Sequence, residues 1–169
     1  GWQSLSNLFH FELELSSQEM GVDFTQVVGH AASVRVDDDN GEGWHWHGLV
    51  SHLTQERRVQ DHTIYKATLV PWLWMLTKNY DCRIFQKKTA VEIIELIFEK
   101  YQIANYELRL YGTFPPRDFC VQYRESDFSF VSRLMEEEGI YYYFLHQADR
   151  HTMILANSPF SHENSSVGE

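Results

Sequence analysis

Residues 8–15, LFHFELEL, alternate between apolar and polar side chains. Phe9, Phe11, Leu13 and Leu15 fall on one side, and His10, Glu12 and Glu14 on the other. Successive side chains of a strand point to opposite faces, so this segment is predicted to be a half-buried strand. DFTQVVG, 23–29, reads as a short helix with Asp23 as cap and Gly29 as stop. ASVRV reads as a strand and DDDNGEG as a turn, in which Asn40-Gly41 is a favoured hairpin dipeptide. The strand that follows carries Trp44, His45, Trp46 and His47 in alternation and is expected to run to Leu53. HTIYKATLV, 62–70, alternates again, and Pro71 ends its pairing because proline has no ladder donor. For WLWML the pattern allows either continued strand or a helical turn.

The second half of the chain brings helical spacing. Thr89 and Glu92 stand at capping-box distance, and Val91, Ile94, Phe98 and Tyr101 recur at helical intervals with Ile93 and Ile97 beside them. NYELRLYG and DFCVQYR read as strands separated by TFPPR. A second helix is predicted from Ser126 or Asp127, with Phe128, Val131, Leu134 and Met135 as its stripe and Gly139 as its stop. IYYYFLH and HTMILAN form a closing hairpin around QADR. About eight strands in antiparallel pairs with two helices predict an α+β fold, mainly β, with a sheet curled or closed into a barrel and helices packed against it. Residues 1–88 are expected to form a first barrel region, 89–157 a helix–strand–helix–hairpin region completing or adjoining a second, and 158–169 a linker or disordered tail.

Composition narrows the classes. Of 169 residues, 43% are hydrophobic and 15% aromatic, enough for a real core. No apolar run approaches the roughly 18 residues that span a bilayer, and no secretory signal pattern is seen at the N-terminus. The net charge is −10, with basic doublets only at 57–58 and 87–88. Nucleic-acid binding needs clustered positive charge, which this chain lacks. Cys82 and Cys120 make neither a disulfide framework nor a CxxC site, and both are expected to be small buried hydrophobes.

Candidate chemistry centres on the histidine pair. On one strand face, His45 and His47 could supply two zinc ligands, with others to come from His10, His30, His52 or His62; zinc usually takes three or four. The competing reading is a scaffold strand with one aromatic face turned inward. VDDDNG fails as a calcium loop, because Val36 stands at the first ligand position and His47 at the twelfth. Glu136, Glu137 and Glu138 oppose the macrodipole at a helix C-terminus, a cost that Arg133 or Arg124 would relieve. No GxSxG, HExxH, Walker or GxGxxG motif is present. The tyrosines of IYYYF offer stacking faces for a sugar, peptide or base, or else the inner face of a core strand.

The succession of PWLW, CRIFQ, FPPR and CVQYRESDFSFVSRLMEEEGIYY, within elements that cover nearly the whole chain, resembles the N-terminal hub region of VgrG spike proteins of bacterial type VI secretion systems. That region is in turn similar to the hub proteins of contractile phage tails. The resemblance implies a phage tail hub-like fold of small antiparallel β-barrels with inserted helices, without catalytic residues, cofactor or metal. It also implies a homotrimer in the full-length protein, set between the hexameric tube protein and a β-helical needle. Neither nucleic acid nor a stable membrane association is expected. The resemblance further implies assembly in the bacterial cytoplasm followed by export through the contractile apparatus, and a chain that is part of a longer protein. Trp46-His47-Gly48 fits the family's aromatic-histidine-glycine series, whereas Trp44 and His45 depart from it.

Overall fold

The computed structural model describes residues 1–19, 21–39, 41 and 43–161. In chain order the strands are β1 (Phe11–Ser17), β2 (Ala31–Asp37), β3 (Gly43–Val59), β4 (His62–Val70) and β5 (Tyr80–Lys88). Helix α1 (Ala90–Phe98) follows, then β6 (Tyr106–Arg109), β7 (Arg117–Ser126), helix α2 (Asp127–Glu137), β8 (Tyr141–His146) and β9 (His151–Ala156). The chain forms two compact units. Among the described residues, the first is Gly1–Trp72 with Phe144–Thr152, and the second is Leu73–Tyr143 with 153–161.

The first unit is built on a four-stranded antiparallel sheet in the order β1-β4-β3-β2. β3 is 17 residues long. Its early residues pair with β2 and its later ones with β4, and register shifts at Val50/His52 and Gln55/Arg57 bend it between the two. Val50, Leu53, Tyr65, Ala67 and Leu69 form the buried cluster, with Phe11, Leu13, Val27, Ala32 and Val34 packed on it. The expected inward face of the first strand is thus present, although Leu15 at its far end is exposed. The segment after Asp23 is only a 3-10 turn, Phe24–Gln26, capped by Asp23 as expected. Asn40 of the predicted Asn40-Gly41 turn lies outside the described residues. Gly41 has φ +82°, and its amide donates to the Asp38 carbonyl.

The expected closure into barrels is not found among the described residues. β1 and β2 are the two edges of an open sheet, and β5 and β7 pair only with each other. Closure needs an edge-to-edge ladder, and these strands offer none.

The WLWML segment resolves as a 3-10 turn over Trp72–Lys78, which begins at the last residue of the first unit's main segment and buries Leu73 and Leu76 in the second. Helix α1 carries the predicted capping box, with Thr89 Oγ1 accepting from the Glu92 amide and Glu92 Oε2 accepting from the Thr89 amide. It ends at Phe98, short of Tyr101. Helix α2 is capped by Ser126 and stops before Gly139, which adopts φ +66°. Phe130 takes the buried position expected for Phe128. β8 and β9 belong to a three-stranded sheet in the order β6-β9-β8. β6 runs parallel to β9, which corrects the expectation of antiparallel pairs throughout. The far end of the β8–β9 hairpin, Phe144–Thr152, belongs to the first unit.

Candidate interaction surface and a histidine cluster

The two-stranded sheet of β5 and β7 has unlike faces. Its register sets Arg83 opposite Gln122 and Phe85 opposite Cys120 on one face. That face is covered: Phe85 stacks on Phe130 of α2 with centroids 5.8 Å apart, and Gln122 is fully buried. The other face holds Cys82 opposite Tyr123, Ile84 opposite Val121 and Gln86 opposite Phe119. There Tyr80 is 70% exposed, Ile84 67%, Phe119 67%, Tyr123 65% and Val121 45%. Cys82 is exposed among them, contrary to the burial expected of it, whereas Cys120 is buried. A contiguous apolar face of this kind on a strand pair marks a surface made for contact.

Its rigidity comes from a buried carboxylate. Asp127, at the first turn of α2, is fully buried. It accepts from Asn79 Nδ2 at 2.8 Å, Gln122 Nε2 at 2.9 Å and the Tyr101 hydroxyl at 3.0 Å, and it pairs with Arg83. Burial and the Asp127 bond push the Tyr101 hydroxyl well above the ordinary tyrosine range. A buried charge persists only when it is paired and hydrogen-bonded in this way. The helix N-terminus adds a favourable dipole. The network ties β5, β7 and α2 into one body behind the apolar face.

The acidic end of α2 finds its cations. Arg117 bonds both Glu137 and Glu138, and Arg133 bonds Glu137 and Glu125. Arg133 thus takes the role expected of it. Arg124 instead lies over the Tyr123 ring. Hydrogen bonds from Arg117, its first cause, and from Arg133 hold the Glu137 carboxyl below the ordinary glutamate value.

The two histidines keep one face of β3 but differ in burial, His45 being half-buried. His45 sits opposite Arg35 and His47 opposite Ser33 across the β2–β3 ladder. His47 is buried and its ring meets His151, Nδ1 to Nδ1, at 2.9 Å. The expected further ligands stay apart: His10 is beside Glu12, and His62 lies against Gln18, while His30 and His52 are exposed. Among the described residues no group of three or more His, Cys, Asp or Glu is placed to hold a metal ion. The zinc reading of His45 and His47 therefore lacks a ligand set. The residues that do approach His47 are His146 and His151, which the sequence marked only as the two ends of a hairpin. Their signal was positional: each flanks the turn QADR.

Gly48 explains the end of the aromatic-histidine-glycine series. A Cβ there would lie 2.9 Å from the Val70 carbonyl and 3.2 Å from the Phe9 ring. Glycine allows β3 to approach that closely. Trp46 packs on Phe11 at 4.8 Å and His146 at 4.9 Å, whereas Trp44 is exposed. The tyrosine strand is committed inward: Tyr142 is buried, and the Tyr141 and Tyr143 hydroxyls donate to the Ser158 and Ser161 carbonyls. Tyr141 and Tyr143 themselves are half-buried.

Residues 3–169 match the phage tail baseplate hub (GPD) family. The chain belongs to that family. This hub chain is 38% identical to the type VI secretion system spike protein VgrG1b of Pseudomonas aeruginosa, over 97% of its own length and 22% of that protein. It is 35% identical to the actin cross-linking toxin VgrG1 of Vibrio cholerae, over 94% of the chain and 15% of the toxin. Among solved structures, an Escherichia coli component of the type VI secretion system, itself similar to bacteriophage T4 tail proteins, aligns with TM-score 0.86 at 23% identity. That alignment covers 96% of the hub chain and 45% of the other. A Francisella PdpA–VgrG complex aligns with TM-score 0.67 at 11% identity, over 92% of the hub chain and 26% of the other. These likenesses carry the fold. The hub chain spans about a quarter or less of the Pseudomonas spike proteins that it matches. No helix among the described residues is long and apolar enough to cross a membrane.

Proposed function

We propose that this chain is the hub region of a type VI secretion spike, a structural part without turnover of its own. In the longer protein it forms the trimeric base that links the hexameric tube to the needle. The match of residues 3–169 to a tail hub family carries this reading, together with spike proteins as its relatives. The apolar outer face of β5 and β7 fits such a role. It is flat, uncharged along its centre and backed by a rigid network, which suits a symmetric contact better than a ligand pocket. We assign Tyr80, Ile84, Phe119, Val121 and Tyr123 to a surface buried between copies. Assembly in the cytoplasm, followed by export through the contractile apparatus, follows from this reading. So does the placing of any enzymatic chemistry of longer relatives outside the matched region.

The test is sedimentation velocity on a chain extended through the needle. The wild type is expected to be a trimer, and I84D combined with F119D to shift it toward monomer while circular dichroism stays unchanged. A wild type that remains a strict monomer at high concentration removes the trimer. A trimer indifferent to the two substitutions moves the contact to another face.

A further inference from the structure

Three imidazoles of the first unit share one hydrogen-bond chain, and its direction is fixed by the groups at its ends. The Trp72 amide donates to His151 Nε2 at 2.9 Å, so that nitrogen carries a lone pair. A neutral His151 then holds its proton on Nδ1, and it donates to His47 Nδ1, 2.9 Å away. The His47 amide donates to His146 Nδ1 at 3.2 Å, which places the His146 proton on Nε2. From there it donates to Gln3 Oε1 at 2.8 Å, and Gln3 Nε2 donates to the Phe144 carbonyl at 2.9 Å. The Trp72 amide and the His151 Nδ1–H keep these acceptors only while His151 and His47 are neutral.

The surroundings are apolar. Phe9 is fully buried, with its ring 4.9 Å from His146 and 5.5 Å from His151. Phe144 is 5.8 Å from His151. The charged groups around the cluster are few. Asp149, in the hairpin turn, is the carboxylate that acts on His47, and it favours the charged ring. Arg150 is turned onto Gln147, and His10 at the start of β1 lies beside Glu12. β3 contributes His47 itself. The N-terminal segment contributes the uncharged Gln3, and the segment after β4 the Trp72 amide.

An added proton has different consequences at each ring. On His151 Nε2 it would face the Trp72 N–H. On His47 Nδ1 it would face the His151 N–H. On His146 Nδ1 it could turn to the His47 carbonyl, 3.1 Å away. Two buried N–H groups pointed at each other lose their bond and repel. Charges on more than one ring repel further across the short spacing between them.

We propose that His47, His146 and His151 form an acid-operated latch, which holds the hairpin tip Phe144–Thr152 against β3 and the Trp72 amide while the rings are neutral and frees it when they take up protons. This goes beyond the structural role proposed above and stands or falls independently of it. Burial holds all three rings below the ordinary histidine value of 6.5, His146 at about 4 and His151 at about 3. The unfolded chain therefore binds more protons than the folded one in that interval. The stabilising contribution is complete above pH 6.5 and is lost as pH falls from there through the folded values.

Native-state hydrogen exchange by NMR tests it on this chain. Between about pH 7 and about pH 4.5, protection at the Trp72 and His47 amides, corrected for intrinsic exchange, is expected to fall about tenfold or more. Amides of the β5–β7 ladder should keep theirs. H151Q retains an acceptor for Trp72 and a donor for His47 without a titrating ring, and its Trp72 amide should lose most of the pH dependence. Equal dependence in wild type and H151Q, or unchanged protection in the wild type, overturns the latch. Should H151Q fail to fold, wild-type ring titrations decide. Midpoints below about 5 accompanied by changes at the Trp72 amide support it, and midpoints near 6.5 with a silent Trp72 amide refute it.

Discussion

At the scale of single residues, the informative positions are those where chemistry and packing disagree with a simple hydrophobic core. Asp127 is a fully buried carboxylate at a helix start, and Arg83 pairs with it. D127A is expected to destabilise the chain by about 1–3 kcal/mol, because Gln122, Asn79 and Tyr101 lose their shared acceptor, while Arg83 keeps Asp81 at 3.2 Å. Urea denaturation measures it, and a loss near zero would mean that the network is solvated. Gly48 is the second such position. G48A drives a methyl against a backbone carbonyl and should cost about 1–3 kcal/mol, read by the same melts. Asp127 was legible as a candidate cap, yet not as the centre of a network, because its partners Asn79, Arg83 and Tyr101 lie 26 or more positions away and only Gln122 is near in sequence. Likewise the histidine spacing at 45 and 47 was visible. That His47 would meet His151 was not, since the contact spans 104 positions.

At the scale of elements, local signals were read well wherever the chain supplies its own partner. The capping box of α1 and the alternation of β4 involve neighbours in sequence, and both form as expected. β5 was not foreseen: Tyr80-Asp81-Cys82-Arg83-Ile84 alternates, but Phe85 breaks the period, and the face with Arg83 is the covered one while the apolar face is open. The parallel β6–β9 pair also escaped, since β7, α2 and β8 lie between its strands in sequence. The acidic end of α2 shows how a loop motif supports an element. Arg117 of FPPR bonds Glu137 and Glu138, which offsets the unfavourable dipole that the sequence left unexplained. R117A should therefore lower stability near neutral pH and fray the last turn of α2. The Glu137 carboxyl titrates below 4.5, so the Arg117 contribution is present above pH 4.5 and fades as pH falls through the folded value. Thermal melts of wild type and R117A should converge in acid. A gap that stays constant down to pH 3 would place the effect of Arg117 elsewhere.

At the scale of the molecule, the described residues form an open four-stranded sheet, a two-stranded sheet bare on one side and a three-stranded mixed sheet. The exposed face of β5 and β7 also meets the overall charge. Each chain carries −10, from 24 acidic and 14 basic residues. Two copies that meet through apolar strands must first overcome mutual repulsion, which acts over about 10 Å at moderate ionic strength. Salt should therefore speed their encounter, the reverse of its effect on a protein that binds nucleic acid. Stopped-flow light scattering from low to high ionic strength would read the sign directly, and slowing by salt would show that oppositely charged patches govern the approach. If copies meet through the bare strand pair as proposed, assembly carries an ionic throttle, with attraction confined to contact range and repulsion setting how often contact is reached.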